Sequence, residues 1–531
     1  MLRSADMPYP PERPIGVRRA EGGSPAGHGR SRSVRRATRV PEVGARQPSD
    51  RSRIPANTDD DTVPDTSRSP RMTEILDYVR TWLDHRVWQT RVPGAQVAIA
   101  RHGEVVLSEA FGVADPTTDA PLTPAHLFRV ASHSKSFTAT AILQLAERGA
   151  LRLDDRLAAH VPELAEAGSE LADVTVASLL EHGAGVLRDG FDGDHWQHSG
   201  PFPDRAQLLA VATTPGVAKV APDTAFNYSN VGYALLGLVI ESASGLSFGD
   251  YLDERIAAPL GLRDTTAEYV PERADEYAAA STSLRTSRER TVLPHVDTRA
   301  MAAATGVTST ASELVSFFSA LVLPDDERLI SAASKRIQQR PRYGTSQDPA
   351  GPRRYGYGLI IERVGSGAHE ATVVGHSGGY PGHITRTAVD PASGWAVTVL
   401  TNAIDGPASA LSTGVLELLL ADSAATDAER AAVDAPFAGR FGNVWGLQDF
   451  QVVGDRFLRI DPTAEHPLDS VDVLERTGDS SARIVEGEGF GSVGEEVTAH
   501  RGPDGAVDRI RAGGGMTLEP LVREWVLRSR G

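Results

Sequence analysis

The chain has 531 residues, 40% hydrophobic and 23% charged, a balance that fits a soluble globular protein with more than one core. Its formal net charge of −16 argues against a nucleic-acid partner or an anionic membrane surface, and the lack of cysteine excludes disulfides, thiolate catalysis and cysteine-ligated metals. No apolar run is long enough for a membrane span and none follows the first residues as a signal peptide would, so the expected compartment is cytoplasmic.

Residues 1–71 hold 14 arginines and 9 acidic residues with many prolines, and read as a disordered tail that buries too little apolar surface to offset its ordering entropy. The run RSRSVRRATR carries the charge of an anion-binding tail, but its composition favours an extension with no role of its own. Periodicity begins at Met72, where Ile75, Leu76, Val79, Trp82 and Leu83 share one helical face. Two strands with a turn at His102-Gly103 follow, then a helix from about 132 to 148 ending at Gly149. Residues 151–230 read as helices and loops, and a further helix stops at Gly245. A helix capped by Thr310, with Glu313 completing a capping box, leads to three strand-like runs: YGYGLIIERV, HITRTAVD and WAVTVLTNA. A helix over about 406–421 closes the large domain. The fold class is therefore α+β, an antiparallel β-sheet flanked by helices with an inserted all-helical lobe, over residues 72–425. From Pro436 to 531 the pattern changes to short alternating strands, which predicts a small, lipocalin-like β-barrel.

Only three of the 54 basic side chains are lysines: Lys135, Lys219 and Lys335. A lysine kept in so arginine-rich a chain is a candidate for work arginine cannot do, such as losing its proton. Lys135 ends Ser132-His133-Ser134-Lys135, an S-x-x-K sequence at the start of a helix. Positions i and i+3 share a face there, so the amine reaches the Ser132 hydroxyl, and the helix N-terminus favours negative charge on that oxygen. A serine needs such a base to become a nucleophile. S-x-x-K alone arises by chance in roughly one chain in four of this composition, so it needs partners. Tyr228-Ser229-Asn230 supplies a Y-x-N before a helix, with a phenol to move a proton and an amide to hold a substrate carbonyl or N–H. His376-Ser377-Gly378 adds H-x-G on a strand.

These three motifs, in this order, resemble the serine β-lactamase and penicillin-binding-protein superfamily, nearest its class C β-lactamase, D-peptidase and family VIII esterase branch. FRVASHSKSFTATAILQLAERGALRLDDRL, LLEHGAG, GVTSTASELVSFF and YGYGL strengthen the likeness, which spans about residues 72–422. The resemblance implies that Ser132 attacks the carbonyl, Lys135 removes its proton, and Tyr228 passes a proton to the leaving group and later activates water. It implies that Asn230 holds the acyl side, that the backbone N–H groups of Ser132 and Gly379 form the oxyanion hole, and that His376, Ser377 and Gly378 line the opposite wall, with His376 binding a carboxylate or carbonyl. It also implies that the appended barrel can reach over the cleft and limit substrate size. No cofactor and no metal are implied.

Gly375, Ser377 and Gly379 also spell G-x-S-x-G, the nucleophile elbow of another hydrolase class. That elbow needs strand, tight turn, then helix, with acid and histidine following. Here a glycine-rich turn leads into another strand, and His466 and His500, which could follow Asp390 in a triad, fall in the C-terminal unit. Ser377 is therefore read as a wall. Asp192, Asp194, His195 and His198 could supply a zinc site, but a glycine-rich loop holds no ligands on one face, so a polar rim is the favoured reading. His133 is read as a supporting or surface residue. The partners expected are small-molecule esters or D-peptides. Because His376 stands where the family often has a lysine, β-lactam hydrolysis ranks behind ester and D-amino-acid amide hydrolysis. A catalytically silent binding module of the same fold is the alternative from another class, opposed by the presence of Ser132, Lys135, Tyr228 and Asn230 together.

Overall fold

The computed structural model describes residues 70–198, 200–345, 353–365, 370–487 and 493–520. Chain contacts set Met1–Asp65 apart from Thr66–Gly531, and the described residues belong to the second unit. The tail expected over residues 1–71 lies outside them except for Pro70 and Arg71.

Helix α1 (Pro70–Thr90) buries Ile75, Leu76, Val79, Trp82 and Leu83, the face its periodicity predicts. Strands β1 (Gly94–Arg101) and β2 (Glu104–Asp115) form the expected hairpin. Its turn places His102 at φ 50° and Gly103 at φ 86°, the left-handed pair that matches strand twist. The short β3 (Ala120–Pro121) pairs with β2 at one edge of the sheet. The helical insertion follows, carrying α2 (Ser134–Glu147), α3 (Asn230–Ser244) and α4 (Ala311–Val322). The chain then returns through β4 (Tyr343–Gly344), β5 (Arg353–Tyr355), β6 (Ile360–Val364), β7 (Ala371–Tyr380), β8 (His383–Val389) and β9 (Trp395–Thr401), and α5 (Ala408–Ala424) completes the layer. The sheet order is β3-β2-β1-β9-β8-β7-β6-β5-β4, antiparallel throughout.

Both faces of the sheet centre are buried, and the pleat divides them. Val97, Ile99, Val397 and Val399 point into a core shared with α1 and α5; Ala98, Ala100, Ala396 and Leu400 point into a second core with the helical lobe. Helix α2 lies within that second core, every residue from Ser134 to Leu145 buried, and Phe137 stacks on Phe317 of α4 at 3.7 Å. Among the described residues no single helix is long and apolar enough to cross a membrane.

Eight strands from Gly439–Asn443 to Thr517–Pro520 close into a barrel around Phe441, Phe450, Phe457, Ile484 and Ile510. The α+β class and the all-β C-terminal unit are thus those read from the sequence. The resemblance implies only that such a barrel can reach over the cleft; this barrel docks its described residues on the other side of the sheet. Its Val453, Leu458, Ile460 and Val473 join the α1–α5 core, and the Tyr78 hydroxyl of α1 donates to Asp449 at 3.1 Å. The barrel is a backing to the sheet, on the face opposite α2.

Three further details differ from the sequence reading. Six strands follow the lobe where the sequence shows three runs and the strand of the H-x-G motif, because β4 and β5 are two and three residues long and owe their pairing to neighbours. The chain does not turn at Gly378-Gly379: β7 continues to Tyr380, and the turn falls at Gly382, φ 91°. Only half of the capping box forms at α4. Thr310 accepts from the Glu313 N–H, while the Glu313 carboxylate is drawn to the backbone N–H groups of Arg263 and Asp264.

Candidate active site

Val130, Ala131 and Ser132 bring the chain from a short strand into α2 through one tight turn. Ala131 adopts φ 53°, a left-handed conformation that costs a non-glycine residue roughly 1 kcal/mol, at the position just before the candidate nucleophile. The turn leaves Ser132 half-buried while Ala131 and His133 on either side are buried. Three residues on, the Lys135 side chain is fully buried and its Nζ lies 3.3 Å from Ser132 Oγ. From the other side the Tyr228 hydroxyl donates to Ser132 Oγ at 2.9 Å. The structure thus brings Ser132, Lys135 and Tyr228 together around one oxygen.

The surroundings set the charge of each group. Lys135 Nζ has two further neighbours, Asn230 Oδ1 at 2.7 Å and the Ala304 carbonyl at 2.8 Å. Burial holds its amine well below the usual lysine range, opposed by the Asp189 carboxylate and aided by the Arg188 guanidinium. A neutral amine has two N–H groups and one lone pair. The two carbonyl oxygens take the N–H groups, and the lone pair is left facing Ser132 Oγ. Burial likewise raises the Tyr228 phenol, which keeps its proton at neutral pH. Burial thus favours a deprotonated amine on one side of the serine and a protonated phenol on the other.

The third motif is arranged differently from a charge-bearing wall. His376 is buried and its imidazole is pushed well below the usual histidine range, first by desolvation and then by His133 and Lys135. Its Nδ1 lies 2.6 Å from the Ser377 carbonyl, which makes it the donor, and Nε2 is then free to accept from the Tyr355 hydroxyl at 3.0 Å. His376 lines the cavity, as expected of it, and a neutral ring with both nitrogens engaged inside the protein has no charge to offer a substrate carboxylate. Gly378 is required by close approach: a Cβ there would sit 2.2 Å from the Val130 carbonyl and 3.1 Å from Ala131 Cβ. Pairing of β7 with β6 ends at Gly375, while His376–Tyr380 pair only with β8, so this stretch offers an open strand edge beside Ser132. Ser377 and Gly379 line the cavity there, and no helix follows Ser377.

That cavity has a volume of about 580 Å³ and is walled by Trp196, Phe226, Tyr228, Tyr355 and Ile360, with the charges of Arg188, Asp189 and Arg353 at its rim. The barrel contributes none of its described lining. Sequence reasoning missed Asp189, Tyr355 and Arg353. The nearest signal for Asp189 was its glycine-rich loop, where Asp192, Asp194, His195 and His198 drew attention instead. Those four do not converge as metal ligands: Asp192 accepts from the Asp194 N–H, and the His195 ring packs on Phe202 at 4.7 Å. His133 is buried between the Val130 carbonyl and Thr387 Oγ1, its pKa lowered to about 3 by desolvation. Lys335 is a structural residue, buried and donating to the carbonyls of Ala320 and Leu323 at 2.6 Å and to that of Asp326.

Comparison with known proteins agrees with this geometry. The family described as "Beta-lactamase" matches residues 79–422. "Penicillin-binding protein 4" of Amycolatopsis lactamdurans is 31% identical over 388 residues, covering 67% of this chain and 97% of that one. The octameric penicillin-binding protein homologue from Pyrococcus abyssi superposes with a TM-score of 0.57 at 23% identity, over 82% of this chain and 97% of that one, a likeness of fold. The D-amino acid amidase from Ochrobactrum anthropi superposes with a TM-score of 0.52 at 27% identity, over 65% of this chain and 96% of that one. With its motifs, its fold and two thirds of its length in agreement, the chain belongs to the beta-lactamase family, as a serine hydrolase of the β-lactamase and penicillin-binding-protein superfamily.

Proposed function

We propose that the protein hydrolyses small esters or D-amino-acid amides and peptides through an acyl-enzyme on Ser132. The observation that carries this reading is the pair of contacts on Ser132 Oγ, with Lys135 Nζ at 3.3 Å and the Tyr228 hydroxyl at 2.9 Å. Ser132 Oγ attacks the carbonyl carbon and its proton passes to the neutral Lys135 amine. The backbone N–H groups of Ser132 and Gly379 receive the developing oxyanion. As the tetrahedral intermediate collapses, Tyr228 gives its proton to the leaving group and is reprotonated from Lys135. The reverse order of transfers lets water attack the acyl-enzyme and restores Ser132. The aromatic wall formed by Trp196, Phe226 and Tyr355 favours acyl or leaving groups with apolar bulk. The likeness to a D-amino acid amidase supports the amide reading, and the neutral, fully engaged His376 sets β-lactams behind it.

The test is to react the protein with a fluorophosphonate and map the labelled residue by mass spectrometry, with Ser132→Ala and Ser377→Ala proteins alongside. The expected label falls on Ser132 and is lost only in Ser132→Ala, with turnover of a chromogenic ester lost in the same variant. A label on Ser377 overturns the proposal in favour of an elbow-type esterase. No label together with no turnover leaves a binding module.

A further inference from the structure

Resting on that reading, we propose that Asp189 is a positioning residue for acylation: its carboxylate fixes which way the Asn230 amide faces, and thereby leaves the Lys135 amine free to accept the Ser132 proton.

The argument begins with hydrogen-bond directions. Asn230 Nδ2 lies 2.5 Å from Asp189 Oδ1, and Asn230 Oδ1 lies 2.7 Å from Lys135 Nζ. An ionised carboxylate only accepts, so it selects the rotamer that turns Nδ2 toward Asp189 and Oδ1 toward lysine. The flipped amide would set its oxygen against the Asp189 carboxylate and its N–H against the lysine lone pair. An amine occupied in that way could not take the proton of Ser132. Asn230 is 3% exposed, so no solvent compensates a wrong flip.

Asp189 is itself firmly held. The Trp196 indole N–H donates to Oδ1 at 2.9 Å, and Arg188 Nε lies 3.0 Å from Oδ2. Both partners line the cavity, so one carboxylate ties the pocket rim to the base. The other titratable groups around Lys135 do not replace it. Tyr228 and Tyr233 present their rings to Nζ at 4.8 and 5.6 Å, and both phenols are raised by burial. His182 and His376 are held neutral by desolvation. Arg188 carries the opposite sign. Asp189 is thus the negative charge that acts on the amine, directly through its field and, for orientation, through the asparagine.

Two substitutions separate orientation from charge. Asp189→Asn can still accept from Asn230 Nδ2 through its own Oδ1 but carries no charge. Asp189→Ala does neither. With a neutral chromogenic ester, Asp189→Ala is expected to lose about ten- to a hundredfold in kcat with little change in KM, the cost of a misplaced catalytic group. Asp189→Asn is expected to keep kcat within a few fold while the acid limb of its pH–rate profile moves to lower pH, because removing a negative charge makes Lys135 easier to deprotonate. A merely structural role would leave that limb in place. Should Asp189→Ala not fold, Asp189→Leu, which likewise cannot accept from Asn230 Nδ2, takes its place in the kcat comparison. An unmoved acid limb in Asp189→Asn, or wild-type kcat in a folded Asp189→Ala, overturns the proposal. Fluorophosphonate labelling of Ser132 in the unaltered protein keeps the two questions apart, since failure there refutes the acyl-enzyme reading instead.

Discussion

At the scale of single residues, the proposed mechanism turns on a lysine that burial drives toward losing its proton. Lys135→Met keeps an unbranched side chain of similar length in the buried site but supplies no amine. It is expected to lower kcat by about 10²–10⁴-fold, far more than follows from the stability lost by orphaning the Asn230 and Ala304 oxygens, about 1–3 kcal/mol, as ester turnover and thermal unfolding of the same sample will show. The pH dependence follows in sign. In the proposed mechanism the protonated amine is inactive, so kcat/KM rises with pH through the Lys135 pKa, at a pH well below the ordinary lysine value. Tyr228, raised by burial, adds no falling limb until well above that. A profile rising only near the ordinary lysine value would contradict the buried, neutral amine. These residues were legible in the sequence because S-x-x-K is a local spacing, with helix geometry bringing the third residue back onto the first. Asp189 was not legible. Its meaning depends on a contact across 41 positions with Asn230, and nothing in DGFDGDHWQHSG distinguishes it from Asp192 or Asp194.

At the scale of elements, the decisive contact is between a strand and a turn. Strand β7 passes so near Val130 and Ala131 that only glycine fits at position 378. Gly378→Ala must push β7 away from the nucleophile turn. The expected cost is about 1–3 kcal/mol of stability, with a larger proportional loss in the rate of fluorophosphonate labelling than in denaturant midpoint. Equal labelling rates in the two proteins would show that the strand's distance from Ser132 is not critical. The long helices and the β1–β2 hairpin were readable because their periodicity and caps are local. The short β4 and β5 were not, since two or three residues carry no period, and their register is imposed by β6. The Glu313 side chain shows the same limit: the sequence pattern of a capping box is present, but partners from residues 263–265 compete for the carboxylate and win.

For the whole molecule, burial of histidine makes acid the natural denaturant. His133 and His295 are lowered to about 3 and about 4, and His182, His376 and His383 lie well below the usual range, all chiefly by desolvation. Their folded pKa values fall below the unfolded value of about 6.5, so the unfolded chain binds more protons between the two. This stability is complete above the unfolded value and is lost as pH falls below it. For His133, lowered to about 3, the loss amounts to about 2 kcal/mol by pH 5, and the others add to it in the same direction. Urea midpoints measured from pH 7.5 to 5 are expected to fall steeply, and a flat curve would mean that these histidines titrate normally. The placement of the barrel was the part of the architecture least legible in the sequence. Alternation predicts strands and closure, but docking depends on which face of α1 and α5 remains apolar once the sheet is covered. Val453, Leu458 and Ile460 answer that only in three dimensions.

The economy of lysine has a practical side. Lys135 is sealed in the site and Lys335 is enclosed by backbone carbonyls, so of the chain's three side-chain amines Lys219 alone stands in solvent, its Nζ 5.3 Å from the centre of the Phe191 ring. Amine-directed dyes or cross-linkers applied to the native protein have one side chain to find, on the same loop region as the cavity rim. A fluorophore placed there would report from one defined point, and the buried Lys135 amine would stay unmodified until the fold is opened.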